Sequence, residues 1–331
     1  MTVKEIADLA GTSRGTVDRV LNDRGNVNPE LAQKIKDIAA RENYQPNQLA
    51  RALINSRKRI RIGVVIHSVG NPFFDDVLKG IYSRAKKLGI YGLEVSVKQI
   101  RGYCAKEQIG AIDELLKEGI DGLAIMPINL PEIKARLEQL TIPIVTFNTD
   151  IDIRKIAFVG CDYYNSGRIS GDLAKLILGR GGNAAIVVGS FKIFGHQQRV
   201  EGFVDSVSKT PGIKVIAELE NEDDDEQSYA AVKKLLEEQE PDLIYFAAAG
   251  IGGGVRAILE SGRDIRILAV DDTEPVHKYL RDGVISATVT QQPYVQGDNA
   301  IKILFDYIAN NKSPREVNNF TENQVKLRNS K

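Results

Sequence analysis

The chain has 331 residues, a length that exceeds the usual size of one domain. With 43% hydrophobic and 27% charged residues, its composition excludes a disordered or membrane-embedded chain. Its formal net charge is zero, but residues 1–60 hold eleven Lys and Arg against seven Asp and Glu, whereas the remainder holds 33 against 37. A basic head on a mildly acidic body suits a polyanion that is bound at one end of the chain only.

The sequence indicates no membrane span, secretion signal or cysteine framework. No run approaches the roughly 20 apolar residues of a membrane-spanning helix, and Met1–Ala10 lacks the apolar region of a signal peptide. We therefore expect a cytoplasmic protein with no membrane partner. Cys104 and Cys161 are too few and too far apart for a disulfide scaffold or a zinc site, so we expect both to be reduced, packed thiols.

The first 21 residues have the pattern of two short helices around a glycine turn. Apolar residues from Val3 to Ala10 recur at i, i+3, i+4 and i+7, which places them on one helical face. Gly11 then provides a residue that tolerates positive φ at a helix end, and Ser13 can cap a second helix. The expected inner face of that helix consists of Val17, Val20 and Leu21. The outer face of that second helix is polar and partly cationic.

A third helix is predicted after Asn28, with Pro29 in its first turn and an apolar stripe along Leu31–Ile38. Two short helices joined by a tight turn match the helix-turn-helix, whose second helix enters the major groove of DNA. Spacing alone leaves a plain three-helix bundle open as well.

The residues at these positions resemble the head of the LacI/GalR repressor family. The resemblance covers Val3–Ser13 and Thr16–Asn22 in the helices, and Asn43–Asn47 and Ala50–Leu53 in the segment where that family has its hinge. It implies a dimeric, ligand-responsive repressor bound to a pseudo-palindromic DNA operator. The implied DNA-binding residues are Thr2, Thr12, Ser13, Arg14, Gly15, Thr16, Arg19, Asn22, Asn26, Ala50 and Leu53.

Individual roles in DNA binding also follow from this resemblance. Arg14, Gly15 and Arg19 lie where the family places residues that read bases, and Leu53 lies where paired leucines enter the minor groove. Gly15 departs from the pattern because it has no side chain to read with. Arg14 and Arg19 are therefore expected to carry more of the sequence specificity.

From Ile62 onward, apolar strands alternate with helices. The predicted strands are Ile62–Ile66, Leu93–Val97, Gly122–Met126 and Pro143–Phe147 in a first set, and Asn183–Val188, Ile213–Leu219, Leu243–Phe246 and Ile265–Val270 in a second. Such alternation predicts parallel sheets that are covered on both faces, and two sets predict two lobes. Ligands of open α/β sheets bind beyond the carboxyl ends of the strands, so the expected site is a cleft between the lobes.

The expected fold is therefore an α/β core of two lobes, similar to periplasmic binding proteins, preceded by an all-helical helix-turn-helix head. The expected boundaries are a DNA-binding head at 1–45, a hinge helix and linker at 46–61, and an effector-binding core at 62–331. Within the core, we expect one lobe at about 62–162 and 292–325 and the other at about 163–291.

Amide, carboxylate and aromatic side chains follow several of the predicted strands. Carboxylates and amides bind hydroxyl pairs, and aromatic faces pack against the CH-rich faces of sugars, although Asn and Asp also serve as caps and turns. Asn71–Phe74 and Gln291–Pro293 resemble motifs of periplasmic sugar-binding proteins and LacI/GalR cores. The candidate effector-binding residues are His67, Asn71, Phe73, Phe74, Asn148, Asp150, Arg199, Gly250, Asp271 and Gln291.

Cofactor, metal and catalytic sites are not predicted. The run Ala248–Gly254 fits only the first two glycines of GxGxxG, because Val255 occupies the third position. The acidic run Glu220–Glu226 precedes a helix, where acids favour the N-terminus and stay solvated. No nucleophile or carboxylate pair is evident, so we expect no enzyme.

The sequence thus predicts a repressor that responds to a sugar or polyol. A purine or sugar phosphate stays open as the effector, because Ala248–Gly254 lacks the Asn-Asp that relatives often carry there. A non-regulatory sugar-binding protein is a further alternative, which explains the core but not the head. Val325–Lys331 has no apolar heptad, so a homodimer is expected rather than a tetramer joined at its C-terminus.

Overall fold

The computed structural model of the chain describes residues 2–21, 25–42, 44, 59–67, 69, 71–179 and 181–330. The chain divides into two compact units, residues 1–57 and residues 58–331. Asn22, Ala50, Leu53 and nearly all of the linker predicted at 46–61 lie outside the described residues. Their expected contacts with DNA therefore stay predictions.

The first unit contains the three predicted helices, Val3–Ala10, Arg14–Leu21 and Pro29–Arg41. Gly11 ends the first of them in the left-handed conformation, with φ of 71°. Asn28 caps the third helix, because its side-chain oxygen accepts from the backbone N–H groups of Glu30 at 2.8 Å and Leu31 at 3.4 Å. Ile6, Val17 and Ile35 are fully buried in the small core that the three helices enclose.

The first lobe of the second unit is a six-stranded parallel sheet in the order β11-β5-β4-β3-β1-β2. Its strands are β1 Ile60–Ile66, β2 Leu93–Gln99, β3 Gly122–Ile125, β4 Ile144–Phe147, β5 Ala157–Cys161 and β11 Asn318–Thr321. Its helices are Phe73–Gly89, Ala105–Lys117, Pro131–Glu138 and Pro293–Asn310.

The second lobe repeats this strand order as β12-β10-β9-β8-β6-β7, with only β12 antiparallel to its neighbour. Its strands are β6 Gly182–Val188, β7 Ile213–Glu220, β8 Leu243–Phe246, β9 Arg266–Val270, β10 Ala287–Thr290 and β12 Gln324–Lys326. Its helices are Tyr163–Leu178, Phe194–Ser208, Asp225–Glu238, Ile251–Ser261 and Glu274–Arg281.

Each of the eight predicted strands is present, with both ends within two residues of the prediction. The two-lobed α/β core is confirmed. β1 begins at Ile60, two residues before the expected start of the core. β12 pairs with β10 of the second lobe, although two of its three residues lie in the segment 292–325 expected for the first lobe. The chain therefore crosses between the lobes three times, after β5, after β10 and after β11.

Glycines let one pair of helices in each lobe pack at backbone distance. In the first lobe, a Cβ at Gly80 would overlap the carbonyl oxygen of Tyr294, and one at Gly297 would overlap that of Val77. The second lobe repeats the arrangement between the helices Tyr163–Leu178 and Phe194–Ser208, through Gly167 and Gly202. One helix of each pair, Pro293–Asn310 or Tyr163–Leu178, directly follows a crossing between the lobes.

The two cysteines differ in their surroundings. Cys161 is buried at the end of β5, and burial raises the pKa of its thiol to about 12. Cys104 is exposed, so the expectation that both thiols are packed is wrong for Cys104, which lies in a loop just before the helix Ala105–Lys117. Within the described ranges, no helix has the length and apolarity needed to cross a bilayer.

Candidate functional site

The carboxyl ends of the strands in both lobes surround a shared cavity. Asn148 follows β4 on one side, and Asp271 follows β9 on the other. Both side chains are buried, with 7% of each residue exposed. The lining residues are Asn71, Phe73, Phe74, Met126, Asn148, Tyr163, Ile193, Gly195, His196, Arg199, Asp223, Ala248, Ala249, Asp271 and Gln291.

Arg199 is the buried cation of this cavity. The residue is only 2% exposed, its guanidinium lies 4.7 Å from the centre of the Tyr163 ring, and its Nη1 donates to the Ala247 carbonyl at 2.8 Å. Its Nε and Nη2 atoms are buried without a hydrogen-bond partner. Because buried donors are nearly always satisfied in folded proteins, this arrangement indicates a ligand that supplies the acceptors.

Asp271 provides a carboxylate in the same cavity. Gln291 donates to its Oδ1 at 2.6 Å and so fixes the orientation of the carboxylate. Burial raises the pKa of Asp271, and the charge of Arg199 opposes that rise. A carboxylate held beside a guanidinium can accept from one hydroxyl while the guanidinium donates to the next.

A buried chain of amides joins the two sides of the cavity through the second interlobe crossing. Asn148 Nδ2 donates to Gln296 Oε1 at 3.1 Å, and Gln296 Nε2 donates to the Gln291 carbonyl at 2.8 Å. Gln291 in turn holds Asp271, so the chain runs from one lobe to the other. Gln296 is fully buried and was not predicted from sequence, because it is one polar residue on the apolar face of a helix.

The lobes contact each other across the mouth of the cleft. The Tyr103 hydroxyl of the first lobe donates to Asp223 Oδ2 of the second. The Asn129 N–H donates to the Lys192 carbonyl at 2.9 Å, and the Gly195 N–H reaches Thr149 Oγ1 at 3.4 Å. The core is therefore in a closed form, with the cavity between its lobes.

Seven of the ten predicted effector-binding residues line the cavity, namely Asn71, Phe73, Phe74, Asn148, Arg199, Asp271 and Gln291. His67 does not line it. Its Nδ1 is hydrogen-bonded to the Gly102 carbonyl at 2.7 Å, and its Nε2 faces the Gln108 amide at 2.8 Å. Burial lowers the pKa of His67 to about 4, so the ring is neutral and structural in this position.

Asp150 and Gly250 are also outside the cavity. Asp150 accepts from Thr146 Oγ1 at 2.7 Å and pairs with Lys155 at 3.0 Å, which turns its carboxylate away from the cleft. Gly250 caps the helix Ile251–Ser261 with φ of 80°, and a Cβ there would overlap the side chain of Asn221. A glycine is thus required at position 250, both for the left-handed turn and for the close packing against Asn221.

Three polar lining residues were missed by sequence reasoning: Tyr163, His196 and Asp223. Asp223 belongs to the acidic run that was interpreted as a solvated helix start. That interpretation holds for Asp224, which caps the helix Asp225–Glu238 through the N–H groups of Glu226 and Gln227, both at 3.0 Å. Asp223 instead has a φ of 57°, and this left-handed turn directs its carboxylate into the cleft.

The glycine run Gly250–Gly254 has a packing role. Gly253 lies against the first turn of the helix Asp225–Glu238, where a Cβ would overlap the Asp225 carbonyl, and its N–H donates to Asp225 Oδ1 at 3.1 Å. Among the described residues, no group of three His, Cys, Asp or Glu is placed to hold a metal ion.

The head presents its polar helix face to solvent. Arg14, Gly15 and Arg19 are exposed on the second helix, whereas Val17 and Val20 are buried against the other two. This arrangement leaves the two arginines available for DNA.

The other DNA-binding candidates of the head lie at helix ends and turns. Thr2 caps the first helix in a reciprocal pair of hydrogen bonds with Glu5, and the Ser13 hydroxyl accepts from the Thr16 N–H at 3.1 Å. Thr12 lies in the turn between the first two helices, and Asn26 has φ of 56° in the segment before the third helix.

Known protein families match both parts of the chain, the helical head and the two-lobed core. Residues 62–312 match the family model of the periplasmic binding protein domain, and residues 2–47 match that of bacterial regulatory proteins of the lacI family. Over 211 residues, the chain is 26% identical to catabolite control protein A of Staphylococcus epidermidis, covering 63% of this chain and 62% of that protein.

A second regulator and a solved structure are similar as well. The HTH-type transcriptional regulator DegA of Bacillus subtilis is 28% identical over 207 residues, which cover 61% of this chain and 59% of DegA. The chain thus spans less than two thirds of the length of these two regulators. GanP, a glucose-galactose binding protein from Geobacillus stearothermophilus, superimposes with a TM-score of 0.76 at 25% identity, covering 82% of this chain and 98% of GanP. The chain therefore belongs to the periplasmic binding protein domain family, and its head matches the lacI family of bacterial regulatory proteins.

Proposed function

We propose that this protein is a homodimeric transcriptional repressor whose affinity for a pseudo-palindromic DNA operator is set by a sugar or polyol bound between its lobes. The observation that carries the proposal is that one chain joins a lacI-family head, residues 2–47, to a closed cavity that contains the unpaired donors of Arg199. Its site of action is the cytoplasm, where the DNA lies.

The chemistry of the cavity supports a polyhydroxylated ligand. Arg199 donates, Asp271 accepts, and Asn148 does either, so together they match adjacent hydroxyl groups. Phe73 and Phe74 meet edge to face at 84° and offer apolar surface to the CH groups of a sugar ring. The likeness to a glucose-galactose binding protein supports the same ligand class.

The head supports DNA recognition. Arg14 and Arg19 project from the second helix, which enters the major groove in helix-turn-helix proteins, and an arginine can donate two hydrogen bonds to guanine. In the proposed complex, Leu53 of each protomer enters the minor groove and kinks the DNA. Two heads related by a two-fold axis read the two halves of a pseudo-palindrome.

The amide chain through Gln291 and Gln296 supports coupling between ligand and DNA. A ligand that contacts both Asn148 and Asp271 stabilises one interlobe angle, because the amides hold both residues to the same crossing segment. In a dimer, this angle sets the separation of the two hinge segments. A coupling free energy of about 1–3 kcal/mol changes DNA affinity by roughly 5- to 150-fold.

A thermal-shift screen of the full chain against pentoses, hexoses, polyols, sugar phosphates and purines tests the ligand. A ligand at 100 times its Kd stabilises the protein by about 2.7 kcal/mol. We expect a neutral sugar or polyol to raise the unfolding temperature, and Asp271→Ala to abolish the rise. Asp150→Ala is the matched control, because Asp150 is a carboxylate outside the cavity. A rise produced only by purines would contradict the proposed ligand class.

A further inference from the structure

Asp223 joins the cavity to the closure of the lobes. Its Oδ1 accepts from the Ala249 N–H at 2.9 Å, and its Oδ2 accepts from the Tyr103 hydroxyl of the opposite lobe. Asn221 also holds the loop, because its Oδ1 accepts from the Asp223 N–H at 3.0 Å. The carboxylate is thus fixed in one orientation at the cavity wall.

The charges that face the cavity do not balance. Arg199 is the one Lys or Arg among the residues that line the cavity, whereas Asp223 and Asp271 supply two carboxyl groups. His196 contributes none at neutral pH, because burial lowers the pKa of its ring and its Nδ1 is engaged by the Ser190 backbone. The cavity therefore has an excess of one negative charge when both carboxylates are ionised.

This imbalance of charge distinguishes uncharged ligands of Arg199 from anionic ones. A hydroxyl accepts from the free Nε and Nη2 groups of Arg199 and donates to a carboxylate, so all groups are satisfied. A phosphate or carboxylate group also accepts from Arg199, but it brings one or two negative charges beside Asp223 and Asp271 in an enclosed site. Like charges in such surroundings repel strongly, because water screens them poorly.

We propose that Asp223 selects ligands by charge: the cavity takes an uncharged or amine-bearing sugar and excludes sugar phosphates and sugar acids. This inference rests on the proposed sugar-responsive function. Asp223 has this role, rather than Asp271 alone, because it supplies the second carboxylate and closes the mouth of the cleft through Tyr103.

The test is isothermal titration calorimetry of the full chain with matched sets: ribose and ribose 5-phosphate, and glucose, glucosamine, glucose 6-phosphate and glucuronate. In at least one set, we expect the neutral or amine-bearing member to bind at least about tenfold more tightly than its anionic counterpart. Asp223→Asn should reduce this ratio by about tenfold. Glu222→Gln is the matched control, because the neighbouring Glu222 is exposed and outside the cavity, and its ratio should not change.

Two further variants separate charge from shape. Tyr103→Phe keeps the Asp223 charge but removes the contact between the lobes, so it should weaken every ligand while leaving the ratio intact. Asp223→Ser replaces Asp223→Asn in this measurement if the asparagine variant does not fold. Circular dichroism measures the folding of both variants.

Three outcomes would overturn the inference. Equal binding of sugar and sugar phosphate by the unmodified chain, or an unchanged ratio in Asp223→Asn and Asp223→Ser, would sink charge selection while leaving the sugar-responsive function in place. If no member of any set binds the unmodified chain, the inference fails for these sugars, and the thermal-shift screen decides the sugar-responsive function separately.

Discussion

Asn148 and Asp271 occupy equivalent positions in the two lobes. Each is the first residue after the fourth strand of its sheet, and each has a left-handed backbone, with φ of 62° and 69°. Each also donates its N–H to the next strand of its sheet, to Val159 at 2.8 Å and to Val289 at 3.0 Å. The repeated lobe architecture therefore places one amide and one carboxylate at matching positions on the two sides of the cavity.

The amide chain between these two residues predicts that a substitution at Gln296, which does not line the cavity, lowers the affinity for the ligand. Gln296→Leu removes the acceptor of Asn148 and the donor to Gln291 while keeping a side chain of similar size. We expect ligand affinity, measured by calorimetry, to fall by about tenfold because Asn148 loses its orientation. Gln227→Leu on the exposed start of another helix should leave affinity unchanged, and equal effects of the two would refute the role of the chain.

The geometry of the Arg199 guanidinium predicts that a lysine at this position binds the ligand less tightly, although both side chains are cationic. Arg199→Lys keeps the positive charge but loses the planar arrangement of N–H donors, so it cannot donate to two adjacent hydroxyls with the same geometry. We expect ligand affinity to fall by at least about tenfold, as measured by ligand-dependent thermal stabilisation. Arg256→Lys on the protein surface is the control. Undiminished affinity in Arg199→Lys would mean that the guanidinium does not bind the ligand directly.

His67 predicts a pH dependence of stability. Burial lowers the pKa of His67 from 6.5 to about 4, so between these values the unfolded chain binds a proton that the folded core does not. The contribution of His67 is complete above pH 6.5 and decreases as the pH falls through this window. By urea denaturation, we expect the free energy of unfolding of the core to lose about 2 kcal/mol from this residue between pH 7 and pH 5.

Substitution identifies the source of that loss. His67→Gln should reduce the difference between pH 7 and pH 5 by this amount, whereas His277→Gln at a partly exposed position should change it much less. An identical pH dependence in the unmodified chain and in His67→Gln would assign the effect to other groups.

The close helix pairs predict unequal effects of two glycine substitutions in one helix. In Gly80→Ala the new methyl group overlaps the Tyr294 carbonyl, so the helices Phe73–Gly89 and Pro293–Asn310 must move apart. We expect the free energy of unfolding to fall by about 2–3 kcal/mol. Gly89→Ala meets no neighbouring atom within 4 Å and should change stability by less than about 1 kcal/mol. Equal changes in the two variants would show that the overlap with the Tyr294 carbonyl does not control stability.

The periodicity of the sequence was sufficient to predict the helices of the head and eight strands of the core, because those segments bury continuous apolar faces. It did not predict β5, β10, β11 or β12. β5 and β10 are buried strands of only five and four residues, whereas β11 and β12 are mostly exposed and pair with β5 and β10. Asp223 was missed for a related reason. The acidic residues next to Asp223 favour the start of a helix. The left-handed backbone of Asp223, which directs its side chain into the cavity, is evident only in the structure.

Fluorescence anisotropy on a selected operator tests directly whether a sugar in the cleft controls DNA binding by the head. An operator is first selected from a random DNA pool with the full chain, and its affinity is then measured with and without the sugar identified by thermal shift. We expect a pseudo-palindromic operator, a roughly 5- to 150-fold change in affinity on adding the sugar, and loss of sequence-specific binding in Arg14→Ala/Arg19→Ala. Operator affinity that stays the same at saturating sugar would refute control of DNA binding by the sugar.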